Sequence, residues 1–373
     1  MNAEHGVTDT HAVGLLRRML EIPSPSYGEA ALAAFLIDAM RELGFDAHID
    51  EVGNAVGEIR RGSGPTVMLL GHMDTVPGDL PVRSAGGRLY GCGAVDAKGP
   101  LAAMICAAAC ATAMRGRVVV VGVVEEETPG SRGATAVRER HRPPDALVIG
   151  EPSGWSSVVL GYRGKVDLRY RVDRASVHPT HPEPKAAELV ARAWPALLEV
   201  LGPDAGHTRF DAPGATLTSI TGGLTSAEAE LSVRTPVGYD TGALLAALRQ
   251  RLPEGELTLI NSVAACRVRR TDPVVRALAR AIRSQRGRPV MKVKTATSDM
   301  NTLAESWRGV PMATYGPGDS RLDHTPDEHI NLADYTRGIQ VLRVAVEQMG
   351  TAAAPAPRAT GLRLVEGSGK DGW

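Results

Sequence analysis

An apolar run ends in a His-x-Asp pair in MLLGHMD (Met68–Asp74), and a glycine-rich turn, GCGAVDAK (Gly91–Lys98), follows it. Side chains two residues apart on a strand point to the same side, so a strand over Val67–Leu70 would present His72 and Asp74 together beyond its end. A histidine beside carboxylates is the ligand type that hydrolytic metal sites use. The stretch therefore predicts a buried strand that leads into a metal site.

The segments around this strand alternate between helical and β-strand patterns. A buried Ala-rich helix is predicted over Leu101–Met114, a β-branched strand over Arg117–Val124, and another strand over Asp145–Ile149. Such alternation is typical of an α/β domain with a mostly parallel sheet flanked by helices. Ligand sites of these sheets lie at the carboxyl ends of the strands, so residues that follow different strands share one edge.

The pattern changes near residue 163. Lys165–Val172 alternates like a half-exposed antiparallel strand, and Thr241–Arg251 has a helical pattern. The α/β pattern returns at a helix with Asp272 as N-cap and Pro273 in its first turn. We therefore predict an α/β catalytic domain that is interrupted by a small α+β domain and followed by a disordered tail rich in Ala, Pro and Gly. The predicted ranges are 1–162 and 272–350 for the catalytic domain, 163–271 for the insert and 351–373 for the tail.

The amino-acid composition argues against several classes of protein. The 42 basic and 42 acidic residues give a formal net charge of zero, which argues against a general nucleic-acid or membrane-surface role. The four scattered cysteines include no CxxC pair, which is typical of a reduced intracellular protein. The N-terminus lacks the basic and apolar regions of a signal peptide, and Leu101–Met114 is too short to span a bilayer. We expect a cytoplasmic protein that binds neither nucleic acid nor membrane.

Several other residues that could carry chemistry follow predicted strands or lie in polar turns. They are Asp96, Glu125, Glu126, Glu127, Glu151 and His324. Three adjacent carboxylates repel one another, so Glu125–Glu127 is either a solvated strand end or a cluster that a cation stabilises. Asp96 is likewise either a turn residue or a ligand. Together with His72 and Asp74, these residues suffice for two borderline metal ions at a hydrolytic site.

The chain carries, in this order, LLGHMDTVPG, GAVDAKGP, VEEETPGSRGA, VIGEPS, ATSDMNTLA and YGPGDSRLDHTPDEH. This set resembles the co-catalytic zinc amidohydrolase superfamily, which includes aminoacylase, acetylornithine deacetylase, succinyl-diaminopimelate desuccinylase and glutamate carboxypeptidases. The resemblance extends to about residue 350. With EIPSPS and DEVGNAVG, the last motif is most similar to the branch that releases lysine or ornithine from an amino-group carrier protein.

The resemblance implies a zinc-peptidase-like catalytic domain with two zinc ions per chain, for which cobalt can substitute. It assigns five metal ligands: Asp96 shared by both ions, His72 and Glu151 on one ion, and Glu127 and His324 on the other. Glu126 would be the general base, which takes a proton from the attacking water and passes it to the leaving amine. Asp74 would orient His72.

The resemblance also implies that the insert is a lid and the interface of a homodimer. His178 matches a lid histidine that reaches into the partner subunit's site and polarises the scissile carbonyl. His181, three residues further on, is an alternative for this role. Arg234 lies where the family has an arginine for a substrate carboxylate, and a surface strand arginine is the alternative interpretation.

We therefore expect a di-zinc amide hydrolase, of the carboxypeptidase or deacylase type, that releases lysine or ornithine from the C-terminal glutamate of a carrier protein. The main alternative is a deacylase of small N-acyl amino acids, of the acetylornithine or succinyl-diaminopimelate type. A non-catalytic binding homologue is disfavoured because neither a ligand nor the base is missing. A phosphate-binding protein is disfavoured because GCGAVDAKGP fits neither GxGxxG nor GxxxxGK[ST].

Overall fold

The computed structural model describes residues 7–351. Its helices are α1 (Asp9–Glu21), α2 (Ala30–Glu42), α3 (Lys98–Cys110), α4 (Arg132–Arg140), α5 (Ala186–Val190), α6 (Ala193–Leu201), α7 (Thr241–Arg251), α8 (Pro273–Ser284), α9 (Asp299–Ser306) and α10 (Leu332–Thr351). The predicted tail lies outside the described residues apart from Thr351, which ends α10.

The strands alternate with these helices along the chain. They are β1 (Asp46–Ile49), β2 (Ala55–Arg61), β3 (Thr66–His72), β4 (Arg83–Ala85), β5 (Arg88–Tyr90), β6 (Gly116–Val123), β7 (Ala146–Ile149), β8 (Ser157–Tyr162), β9 (Gly164–Asp173), β10 (Gly214–Gly222), β11 (Ser226–Thr235), β12 (Glu256–Val263), β13 (Cys266–Arg267), β14 (Val290–Lys294), β15 (Met312–Thr314) and β16 (His329–Asn331).

Nine strands form the large sheet, in the order β1-β2-β6-β3-β7-β15-β8-β13, with β14 also paired to β8. The four central strands β6, β3, β7 and β15 are parallel, and antiparallel pairs lie towards both edges. This confirms the predicted α/β class with a mostly parallel centre. The carboxyl ends of β3, β6 and β7 therefore meet at one edge, as the residues that follow them require.

The central strand β3 is buried on both faces. Val67 and Leu69 belong to one hydrophobic core, while Met68 and Leu70 belong to a second core on the opposite face. The first core also contains α3, whose residues Lys98–Ala109 are all buried, and the second contains Leu303 of α9. Helices on both faces explain why the strand is a continuous apolar run rather than an alternating one.

A separate four-stranded antiparallel sheet, in the order β10-β11-β9-β12, packs with α5, α6 and α7 around its own core. The helical pattern of Pro184–Val200 predicts a single helix, but the structure has two helices there. Pro195 in α6 would place its ring against the carbonyl of Ala191, where the first helix has ended. The chain rejoins the large sheet at β13, before the predicted boundary at residue 271. The domain ranges given above stay a prediction.

Within residues 7–351, no helix combines the length and the apolar character needed to cross a membrane.

Gly99 is required by the close approach between α3 and the turn before it. A Cβ at this position would lie 2.2 Å from the backbone oxygen of Ala94, whereas a Cβ at Gly14 of α1 would have nothing within 4 Å. We expect Gly99→Ala to lower the free energy of unfolding by about 1–3 kcal/mol through overpacking. Gly14→Ala, the control, should raise it by about 0.5–1 kcal/mol through helix propensity. Urea unfolding measures both, and wild-type stability of Gly99→Ala would contradict the close packing.

Candidate metal centre

A cavity of about 420 Å³ lies at the carboxyl edge of the parallel strands. The nine-stranded sheet and the four-stranded antiparallel sheet both contribute residues to its lining. The cavity therefore opens between the catalytic core and the four-stranded sheet. The lining includes Asp96, Glu126, Glu127, Glu151, Lys165, Arg234, Lys294, Asp323 and His324. Most of the predicted site residues therefore surround one space, although they come from stretches far apart in the sequence.

His72 ends β3 and is only 1 % exposed. Its Nδ1 lies 2.8 Å from the backbone oxygen of Asp74 and 3.5 Å from the Asp74 carboxylate. The shorter contact is a hydrogen bond to the backbone, and it turns Nε2 of the ring towards the cavity. The structure thus gives the main orienting contact to the carbonyl of Asp74 rather than to its side chain.

The carboxylate of Asp74 instead binds the turn that follows β6. Its Oδ1 accepts a hydrogen bond from the backbone N–H of Glu126, and its Oδ2 accepts one from the N–H of Glu127, both at 3.0 Å. Ser26 adds a hydroxyl donor at 2.8 Å. Asp74 is fully buried, so these donors compensate the burial of its charge. The residue therefore positions both glutamates as well as the His72 ring.

The backbone leaves strand geometry at Glu125, where φ is +59°. The Glu125 carboxylate pairs with Arg132, with an Nε–Oε1 distance of 2.7 Å, and its backbone N–H donates to Glu29. Neighbouring strand residues face opposite ways, so this turn is what brings Glu126 and Glu127 to one cavity. Glu125, paired with Arg132, does not line the cavity.

Asp96 lies between two histidines. Its Oδ1 is 3.1 Å from Nε2 of His72, and its Oδ2 is 3.1 Å from Nε2 of His324. Burial opposes the ionised carboxylate, yet hydrogen bonds from His324 and His72 outweigh burial and hold the pKa of Asp96 below its usual range. One carboxylate thus contacts two separate imidazole nitrogens, the geometry that a bridging ligand would need.

His324 comes from the polar loop before β16 and has a left-handed backbone, with φ of +57°. Its Nε2 also lies 2.8 Å from Oε1 of Glu127. The hydrogen bond with Asp96, followed by the charge of Glu127, raises the pKa of His324 to about 9. The loop therefore delivers the second imidazole to Asp96 and Glu127 from the far end of the chain.

The turn that carries Asp96 is held by Glu328, a residue to which the sequence assigned no role. Its carboxylate accepts hydrogen bonds from the backbone N–H groups of Gly93, Val95 and Asp96, at 2.9–3.1 Å. Glu328 is 4 % exposed. It lies four residues after His324 in a polar loop, and nothing in that pattern signals that its carboxylate is buried.

Negative charge accumulates at the cavity floor. Burial, followed by repulsion from Asp96, raises the pKa of Glu151 to about 8. Burial, followed by repulsion from Glu151, raises the pKa of Glu126 well above its usual range, and burial likewise raises that of Glu127. Carboxylates that shift in this way bind positive charge, whether protons or metal cations.

The donor atoms fit metal ions. Two groups of three residues have ligand atoms within 4.8 Å of one another: His72 with Glu126 and Glu151, and His72 with Asp96 and Glu127. His324 is outside these groups, yet its contacts with Asp96 and Glu127 place it in the same cluster. Imidazole nitrogens with carboxylate oxygens are the donor set of hydrolytic zinc sites.

The predicted substrate residues differ in position. Arg234 of β11 lines the cavity, and its Nη1 donates to Oγ1 of Thr297 at 3.1 Å. His178 and His181 are exposed and outside the cavity lining, in the segment between β9 and α5. Nδ1 of His178 lies 2.8 Å from the hydroxyl of Thr180. This chain therefore brings Arg234, but neither histidine, to its own site.

The family model for peptidase family M20/M25/M40 matches residues 68–348. The chain belongs to this family of metal-dependent peptidases and is a hydrolase.

Individual relatives give a more specific similarity than the family model does. The chain is 43 % identical to a LysW-lysine hydrolase of Deinococcus radiodurans over 351 residues, which cover 90 % of this chain and 96 % of the relative. It is 30 % identical to a LysW-lysine/LysW-ornithine hydrolase of Saccharolobus islandicus over 357 residues, with 94 % and 99 % coverage.

Solved structures share the fold at lower identity. Aminopeptidase PepT of Bacillus cereus matches with a TM-score of 0.78 at 18 % identity and covers 92 % of this chain and 99 % of its own. The YXEP protein of Bacillus subtilis, described as a dinuclear metal-binding peptidase, matches with a TM-score of 0.68 at 14 % identity, with 91 % and 97 % coverage.

Glu328→Ala should loosen the Asp96 turn, because two buried N–H groups and one partly buried N–H group lose their acceptor. We expect the free energy of unfolding to fall by about 2–4 kcal/mol, given that each buried unsatisfied group costs about 1–3 kcal/mol. Zinc affinity should fall as well, measured by titration with a competing chelator. Asp327→Ala is the matched control, because its side chain is 68 % exposed. Wild-type zinc affinity of Glu328→Ala would refute the supporting role.

Proposed function

We propose that this protein is a di-zinc amide hydrolase that releases lysine or ornithine from the C-terminal glutamate of an amino-group carrier protein. The placement of Asp96 between His72 and His324 carries the proposal of a two-metal site. The full-length similarity to LysW-lysine hydrolases supports the substrate. Four free cysteines support a reducing, cytoplasmic setting, and we assign the enzyme to amino-acid biosynthesis.

The metal ligands that we propose are Asp96 for both ions, His72 and Glu151 for one, and Glu127 and His324 for the other. The dinuclear site described for the YXEP protein supports a count of two, and cobalt is an expected substitute. When bound, the two ions supply positive charge that lowers the pKa of water and stabilises the oxyanion. The positive charge of the ions would then compensate the negative charge of the carboxylates around Asp96, which otherwise repel one another.

Glu126 is the proposed general base. It lines the cavity beside Glu127 and lies close to the ligand atoms of His72 and Glu151, and we leave it out of both proposed ligand sets. Its raised pKa, caused by burial and then by Glu151, suits a group that accepts a proton from water and passes it to the leaving amine. The backbone hydrogen bond from Glu126 to Asp74 fixes the position from which it acts.

We assign Arg234 to a substrate carboxylate, since its guanidinium lines the cavity and has only a hydroxyl, Thr297, as a hydrogen-bond partner within residues 7–351. His178 is proposed to act in the partner subunit's site, which its exposure on the antiparallel-sheet domain permits. Ile220 and Leu224, 49 % and 46 % exposed at the end of edge strand β10, support a homodimer through this domain.

A side-by-side assay tests the proposal. Purified zinc-loaded enzyme receives carrier protein linked to lysine and, separately, N-acetylornithine. We expect release of lysine from the carrier, and loss of turnover by about 10²–10⁴-fold in Glu126→Gln, the range for a general base. The variant should keep its zinc because Glu126 is not a proposed ligand. Cleavage of N-acetylornithine alone would replace the carrier substrate with a small one, and full activity of Glu126→Gln would remove the assigned base.

A further inference from the structure

Three charged side chains of the cavity have no part in the chemistry described so far, and one of them, Lys165, pairs with Asp167 at 3.0 Å. The other two, Lys294 and Asp323, both line the cavity, and both are partly buried. Among residues 7–351, the Lys294 ammonium has neither a hydrogen bond nor an ion pair, and the buried Oδ1 of Asp323 has no hydrogen-bond partner. The two charges have opposite signs, yet no ion pair joins them.

Lys294 ends β14, where this strand pairs irregularly with β8. Between Lys292 and Lys294, β8 advances three residues while β14 advances two, so the extra residue belongs to β8. β14 itself keeps the alternation of a regular strand, since Met291 and Val293 both pack against the first core and the two lysines face the other way. Lys292 lines a neighbouring cavity of about 430 Å³, where its Nζ donates to the backbone oxygen of Ser153 at 2.9 Å, and Lys294 lines the proposed active site.

Two aspartates of the loop before β16, Asp319 and Asp323, also line different cavities. Asp319 lines the neighbouring cavity and binds Arg321 through both of its carboxylate oxygens, whereas Asp323 lines the proposed active site. Each cavity thus has one lysine from β14 and one aspartate from this loop. In the neighbouring cavity both have protein partners, and in the proposed active site neither has.

An uncompensated charge that is partly removed from water costs free energy, and a ligand of opposite charge can offset that cost. A ligand that satisfies both residues must carry a carboxylate and an ammonium at separate positions. We propose that Lys294 binds the α-carboxylate and Asp323 the side-chain ammonium of the released amino acid, so that the site selects diamino acids. This inference rests on the proposed function and identifies the residues that determine its substrate class.

The alternative is that both side chains only balance the charge of the metal site. In that case a change at either residue slows every substrate alike. Binding of separate ligand groups predicts a different result, because each variant should affect only substrates that carry the matching group.

The experiment tests each variant on each of three substrates. Three peptides end in glutamate joined to lysine, to norleucine, which lacks the ammonium, or to lysinamide, which lacks the carboxylate. Each is offered to zinc-loaded wild type, Asp323→Asn and Lys294→Met. Asp319→Asn and Lys292→Met, from the neighbouring cavity, are matched controls, and Asp323→Glu tests rescue by a retained charge. Zinc content is measured for every variant.

The wild type should cleave the lysine peptide with a kcat/KM about 10- to 100-fold above that of either analogue, the value of one charged hydrogen bond. Asp323→Asn should remove the preference for lysine over norleucine, because it lowers kcat/KM for the lysine peptide to the level of the norleucine peptide. Lys294→Met should remove the preference over lysinamide. Asp323→Glu and both controls should keep the two preferences.

Equal wild-type cleavage of the lysine and norleucine peptides would overturn the inference and leave the proposed function intact. An equal loss on all three peptides in Asp323→Asn and Lys294→Met would also overturn it, in favour of charge balance. If wild type cleaves neither these peptides nor the carrier-linked lysine, it is the proposed function that fails.

Discussion

The structure depends on the concentration of negative charge at one edge of a parallel sheet. Asp96, Glu126, Glu127 and Glu151 meet around two imidazoles because the strands before them end side by side. Burial, followed by their mutual repulsion, raises the pKa of the three glutamates, while the histidines lower that of Asp96. An arrangement of this kind is favourable only when positive charge enters it. Since the chain belongs to a family of metal-dependent peptidases, metal cations are the positive charge that this arrangement suits.

A second set of carboxylates holds the first in place without facing the cations. Asp74 accepts the backbone N–H groups of Glu126 and Glu127, and Glu328 accepts those of the Asp96 turn. Both side chains are buried and their charges are compensated by backbone dipoles. The same chemical group thus serves as scaffold in one layer and as ligand in the next, and the number of N–H donors around it decides between the two roles.

Local patterns made much of this predictable. The β-branched and apolar runs predicted β3 and β6, Asp272 with Pro273 predicted the start of α8, and the positions of His72, Glu127 and Glu151 after strands predicted their shared edge. The left-handed turn at Glu125 has a simple cause, since two adjacent glutamates cannot reach one side of a strand.

Long-range contacts account for what the sequence did not show. The burial of Glu328 depends on three N–H groups more than 230 residues away in the chain, and no local pattern encodes that contact. The irregular pairing between β8 and the end of β14 depends on both strands, which are far apart in the sequence. His178 was predicted to act on a second subunit, and its distance from the cavity of its own chain cannot be read from SVHPTHPEPK.

Anomalous X-ray diffraction from zinc-loaded crystals, recorded at the zinc absorption edge, tests the central claim most directly. We predict two peaks per chain in the cavity, each at about 2.0–2.2 Å from a different carboxylate oxygen of Asp96, the usual zinc–oxygen distance. His72 should contact one peak and His324 the other. A single peak, or two peaks of which only one contacts Asp96, would contradict a bridged two-metal centre.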